Sequence, residues 1–169
     1  MPDTTQTLEP LAIEVPTFSM VSELITDYAH ALDDGNVDLW PGFFTETALY
    51  HVTTRENHEQ DLPIGIIRCV GRGMMVDRVK AFHAANIFEP HRYNHLVGPL
   101  RTCAGKSRGT TSSRCNFQIV RIMEDGRMDL LAIGKYLDEI VLDGGVAKFG
   151  RRIVVLDSPI VDILIVMPL

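Results

Sequence analysis

The chain has 169 residues, 46% of them hydrophobic and 22% charged, with a formal net charge of −6; this is one domain's length, enough to bury about 70% of the unfolded chain's surface. The negative charge argues against a nucleic-acid surface and against steering of anionic ligands by the whole molecule. No apolar run reaches the roughly 18 residues of a membrane span, and Cys69, Cys103 and Cys115 are too few and too scattered for a disulfide framework or a C-x-x-C metal site, so a reducing, cytoplasmic setting is expected.

Residues 1–16 carry acids and prolines without a basic n-region, and read as a flexible tail rather than a signal peptide, ahead of a single domain over 17–169. In TFSMVSELITDYAHALDDGNV, residues Val21, Leu24, Ile25, Tyr28 and Leu32 recur at helical spacing, and Gly35 is the expected left-handed cap. VDLWPGFF follows as a short helical turn that Asn36 could cap and Pro41 keeps short. Trp40, Phe43 and Phe44 form an apolar block for a core or an interface.

TALYHVTT reads as a strand with Ala48, Tyr50 and Val52 on one face and Leu49, His51 and Thr53 on the other. ENHEQDLP reads as a polar loop and IGIIRCV as a second strand, broken at Gly71-Arg72-Gly73. MMVDRVKAFHAANIF is the second helix, with Met75, Val79, Phe82 and Asn86 or Ile87 on its apolar stripe and Asp77 near its N-terminus. RYNHLVG is expected to pair with LRTCAG around Gly98-Pro99. Three long strands follow, TTSSRCNFQIVRIM, MDLLAIGKYLDEIVL and VAKFGRRIVVLDS, joined by turns at Asp125-Gly126 and Asp143-Gly144-Gly145. Helices followed by a strongly curved, mainly antiparallel sheet give an α+β class. The expected architecture is a cone-shaped roll, cystatin-like or ketosteroid-isomerase-like, with the helices packed on the sheet.

Six histidines raise the question of a metal or catalytic site. On a strand, His91 and His95 share a face but stand about 13 Å apart, too far for one zinc; no glutamate follows His91 as in H-E-x-x-H. His83 lies beside a helical apolar stripe, where a structural role is commoner. A second arrangement remains open: His51 and His95 meeting inside the cone as an acid/base pair, with Tyr50, Tyr28 or Asp33 nearby, as in a dehydratase or isomerase. A third reading is a non-enzymatic dimeric binding module. Ser112 and Ser113 lack a G-x-S-x-G setting. Arg151 and Arg152 project to opposite faces of a strand, so at least one is expected in an ion pair.

The end of the chain, SPIVDILIVMPL, has only Asp162 charged. Leaving about eight such side chains in water forgoes on the order of 10 kcal/mol, so this segment must lie on its own sheet or on another subunit.

Taken in order, ALDDGNVDLWPGFFTETALYHVTTRENH, MMVDRVKAFHAANIFEPHRYNHLVG, AIGKYLDEIV and GRRIVVLDS resemble the small (beta) subunit of aromatic-ring-hydroxylating dioxygenases, in particular those serving aromatic carboxylic acids such as terephthalate, anthranilate, salicylate or benzoate. The resemblance runs from about Phe18 onward. It implies the cone-shaped roll, no active site or metal in this chain, and a large (alpha) oxygenase subunit as partner, three large with three small around a trimer of this chain. The Rieske [2Fe–2S] cluster and mononuclear Fe(II) are then expected in the large subunit, fed from NAD(P)H through a reductase; the Cys-x-His and Cys-x-x-His pairs such a cluster needs do not occur here. This chain's expected role is structural, with Trp40, Phe43, His91, Tyr93, Arg151, Ile163, Leu164 and Leu169 as subunit-interface candidates.

Overall fold

The computed structural model describes residues 14–84, 89–160 and 165–169. Helix α1 (Phe18–Asp33) begins where the Thr17 hydroxyl accepts from the Met20 amide and buries the expected stripe from Val21 to Leu32. It ends in a Schellman turn: Gly35, at φ +74°, donates to Leu32, and Asn36 donates to Ala31. Pro16 is already buried and its carbonyl accepts from Thr111, so the folded body takes in the last residue assigned to the tail.

Val37–Phe43 is a 3-10 turn containing Pro41, but the Asn36 side chain makes no capping bond there. Its backbone carbonyl instead accepts from Leu39. Strand β1 (Phe44–Thr54) buries Ala48, Tyr50 and Val52 completely. The stretch expected as a polar loop holds a one-turn helix, α2 (Arg55–Glu59), because the Thr54 hydroxyl accepts the Asn57 amide. Strand β2 (Ile67–Val70) begins three residues later than expected. Helix α3 (Arg72–Ala84) buries Met75 and Val79. It starts early enough that Asp77 lies beyond its first turn, paired with Lys80 at 3.2 Å rather than with the helix end. The expected continuation of that stripe at Asn86 or Ile87 lies outside the described residues.

Five strands complete the sheet: β3 (His91–Val97), β4 (Arg101–Ala104), β5 (Thr110–Met123), β6 (Met128–Asp143) and β7 (Val146–Leu156). The sheet is curled and unclosed, in the order β2-β1-β7-β6-β5-β3, antiparallel throughout except for the parallel pair of β1 with β7. β3 and β4 do not pair with each other. Both run antiparallel to β5, β3 against Phe117–Met123 and β4 against Thr111–Arg114. They are one edge interrupted at Gly98-Pro99: the Gly98 amide still reaches the Asn116 carbonyl, and Pro99 has no N–H to continue the ladder.

Helix α1 lies over the concave face, against β3 and β7. Beneath it the core gathers Trp40, Phe44, Tyr50, Phe117, Tyr136, Ile140, Phe149 and Val154. Residues 165–169 turn back into this core and are buried.

Candidate functional site

In a roll of this kind the mouth of the cone is where a small molecule could enter. Here it is filled by the chain itself. Leu169 has no exposed surface. Its carbonyl accepts from the Tyr28 hydroxyl at 2.8 Å and the Tyr50 hydroxyl at 3.1 Å, and its amide donates to the Tyr50 oxygen at 2.9 Å. The Trp40 indole N–H donates to the Tyr28 oxygen at 3.3 Å, and Arg78 of α3 donates to the Ile165 carbonyl at 2.8 Å. Burial raises the Tyr28 phenol and raises that of Tyr50 well above its ordinary value. Both stay protonated near neutral pH, which suits hydrogen bonding and not proton transfer.

Deeper in, Arg152 of β7 meets Asp138 of β6 through two hydrogen bonds, Nε–H at 2.9 Å and Nη2–H at 3.0 Å. Both side chains are wholly buried. Burial pushes the Asp138 carboxyl up, against the pull of Arg152 and the Ser113 hydroxyl. Burial also opposes the Arg152 charge, and Asp138 more than offsets it. The guanidinium carbon stands 4.0–4.2 Å from the ring centroids of Tyr28, Tyr136 and Phe149, so ring faces solvate the cation where water cannot. Tyr136 in turn stacks on Phe117 at 4.2 Å. The expectation that one of the two adjacent arginines is an ion-pair partner holds, and it is Arg152.

His51 and His95 do not meet. β1 and β3 are separated in the sheet by β7, β6 and β5. His95, its side chain fully buried, holds Asp33 through Nδ1 at 2.5 Å, and Asp33 also accepts the His95 backbone amide at 2.9 Å. This ties the end of α1 to the sheet edge. His51 sits on the other face of β1 from Tyr50, with Arg68 donating towards its Nδ1 at 3.5 Å. Gly65 lies directly over the ring: a Cβ there would stand 2.6 Å from Nε2. Burial, then the Arg68 charge, lowers the His51 pKa, so the ring is neutral near pH 7. The acid/base arrangement of His51, His95, Tyr50 and Asp33 is therefore not assembled.

Two further histidines have structural partners. His83 contacts the Asp38 carboxylate at 3.0 Å, and His91 Nδ1 contacts the Glu89 carbonyl at 2.7 Å. Among the described residues no group of three or more His, Cys, Asp or Glu converges as metal ligands. Burial raises the thiols of Cys69 and Cys115, the latter to about 11.

Of the interface candidates, Trp40, Tyr93 and Leu169 are buried within this chain and leave almost no side-chain surface for a neighbour. Of the apolar block, Trp40 and Phe44 are covered by this chain itself, and so are residues 165–169 of the apolar end, whereas Ile160 is exposed. Phe43 is partly buried and lines an apolar groove of about 510 Å³ with Met20, Leu39 and Val146. His91 is half-buried and Arg151 exposed, whereas Ile163 and Leu164 lie outside the described residues. Sequence reasoning missed Arg68, which faces His51 across β1 and β2 in register. The alternation of β2 around Ile67 and Cys69 was the available signal.

The family model described as ring hydroxylating beta subunit matches residues 28–162. A beta subunit of the terminal oxygenase component of terephthalate 1,2-dioxygenase from Comamonas is 36% identical over 142 residues, 84% of this chain and 92% of that one. The small subunit of anthranilate 1,2-dioxygenase from Burkholderia cepacia is 29% identical over 162 residues, 96% of this chain and all of that one. A solved beta subunit assigned to an aromatic-ring-hydroxylating dioxygenase from Novosphingobium aromaticivorans superposes with a TM-score of 0.80 at 28% identity, covering 89% of this chain and 95% of that one.

Proposed function

This chain belongs to the ring-hydroxylating beta-subunit family, and on that premise we propose how it serves its enzyme. It is the beta subunit of an aromatic-ring-hydroxylating dioxygenase, a supporting subunit with an alpha oxygenase partner. One observation carries the supporting role: the interior of the roll is closed by residues 165–169, with Tyr28, Trp40 and Tyr50 all committed to one another or to Leu169. Of the groups proposed for proton transfer, His95 and Asp33 are held by each other, Tyr50 is held by Leu169, and burial keeps His51 neutral near pH 7.

The chain forms a trimer that carries three alpha subunits. The Rieske cluster and mononuclear iron reside in those subunits, electrons reach them from NAD(P)H through a reductase, and an aromatic acid is dihydroxylated. The relatives' own substrates, terephthalate and anthranilate, support an acid. The exposed apolar side chains of Leu39 and Val146 in the 510 Å³ groove support a subunit contact there.

Co-expression with an alpha oxygenase subunit tests this. The expected result is one complex of equal stoichiometry, with turnover by the complex, none by this chain alone, and iron retained when His51→Ala or His95→Ala is introduced. Loss of turnover in His51→Ala with the complex, its iron content and its size unchanged would reinstate an acid/base role for this chain.

A further inference from the structure

On the convex face, beside α2, lies a recess of about 200 Å³ that the function above does not use. Its floor is aliphatic, Leu49 of β1 and Ile153 of β7, and Leu62 and Pro63 stand at its rim. Two guanidiniums flank it. Arg68 comes from β2 and Arg151 from β7, the strands on either side of β1, in register with His51 and Leu49 respectively. Two strand spacings separate their backbones by about 10 Å, a gap that two arginine side chains can close upon a shared ligand.

The charges here are unbalanced. Among the described residues neither Arg68 nor Arg151 has a carboxylate within ion-pairing distance. Arg152 with Asp138 and Arg72 with Glu46, by contrast, each have one. Glu139, level with Arg151 across β6 and β7, is instead held by the hydroxyls of Thr110 and Ser112. Asp61 is the one acid lining the recess. With His51 neutral, two guanidiniums against that carboxylate leave one positive charge unanswered, on a chain whose net charge is −6.

Arg68 is also oriented before any ligand arrives. Its Nη1 is directed at His51 Nδ1, and His51 is fixed by Gly65 packed on its ring. A pre-oriented fork binds with less loss of side-chain freedom. We propose that this recess binds a carboxylate on a small apolar body, held between Arg68 and Arg151 with its apolar part on Leu49 and Ile153. Sites for whole drug-sized ligands run from about 300 to 1,000 Å³, so about 200 Å³ admits one ring or one acidic side chain. A single negative charge balances the site, whereas a phosphate dianion overshoots it.

Such a carboxylate has two sources, a free aromatic acid or an acidic side chain of the partner subunit, and the test separates them. Benzoate, benzamide and inorganic phosphate are each titrated into the full chain and into the assembled oxygenase, following the amides of Leu49–Thr53 and Arg151–Ile153 by NMR in the former and heat of binding in the latter. Wild type, Arg68→Gln, Arg151→Gln and the double variant are compared; unchanged unfolding midpoints show that each variant folds. Saturable benzoate binding, absent with benzamide and weakened about tenfold or more by either substitution, supports the site with a free acid. No benzoate binding, together with co-purification of the alpha subunit that the double variant makes salt-sensitive, supports it with the partner's carboxylate. Wild-type co-purification in the same experiment separates failure of this site from failure of the subunit assignment. Neither effect, or phosphate binding tighter than benzoate, overturns the proposal.

Discussion

The two faces of the sheet use the same side-chain chemistry to opposite ends. Inside, Arg152 is doubly bonded to Asp138 and packed against three aromatic rings, and Tyr28 and Tyr50 close on Leu169. Outside, Arg68 and Arg151 face a recess with no carboxylate partner among the described residues. The contrast teaches that the interior of this roll is given over to packing and to the Arg152–Asp138 pair, while arginines without a carboxylate partner stand on the surface that other molecules meet. A buried charge without a partner is costly, so the interior pairs Arg152 with Asp138; the exterior, hydrated, can wait for a ligand.

The largest effect expected on this contrast comes from Asp138→Ala, which strands the Arg152 charge and should cost about 3–5 kcal/mol of stability by urea unfolding at fixed protein concentration. A cost under about 1 kcal/mol would mean that the interior is wetter than its packing implies. Leu169→Ala should cost about 2–5 kcal/mol. Tyr50→Phe, which removes the acceptor of the Leu169 amide, should cost about 1–3 kcal/mol in the same assay. If both leave the midpoint unmoved, the mouth of the cone is not held shut by this segment. On the outside, Arg68→Gln and Arg151→Gln should each stay within about 0.5 kcal/mol of wild type, so that any loss of binding or assembly is read directly.

The smallest effect is a pH dependence. Burial, then the Arg68 charge, lowers the His51 pKa in the folded state. Its contribution is therefore present above the unfolded value of about 6.5 and is lost as pH falls below it through the folded value, because the unfolded chain takes up the proton first. His51→Gln should flatten the decline in unfolding midpoint between pH 7.5 and 5; an unchanged slope would show that this ring is not shielded from water.

Much of the architecture was legible in local pattern. The stripe from Val21 to Leu32, the Gly35 terminus, the alternation of Ala48, Tyr50 and Val52, and the turns at Asp125-Gly126 and Asp143-Gly144-Gly145 all appear as read. Each depends on residues within a few positions of one another. The readings that failed were of another kind. Pairing β3 with β4 followed from adjacency in the chain, whereas both segments found β5. The meeting of His51 with His95 assumed that strands distant in the sequence present their histidines to a common space, and the sheet order separates them.

The sequence by itself determined that an end as apolar as residues 165–169 would seek cover, that Arg151 and Arg152 must part company, and that no Rieske ligand pairs exist here. Periodicity, hydrophobic area and ligand spacing are properties of the chain alone. Only the tertiary structure decided that Leu169 meets Tyr28 and Tyr50 across separations of 141 and 119 residues, and that Arg152 takes Asp138 while Arg151 faces Arg68's recess. Those outcomes follow from how the sheet curls and which strands lie side by side, and contacts at such separations are selected by the packing of the whole core rather than by any local pattern.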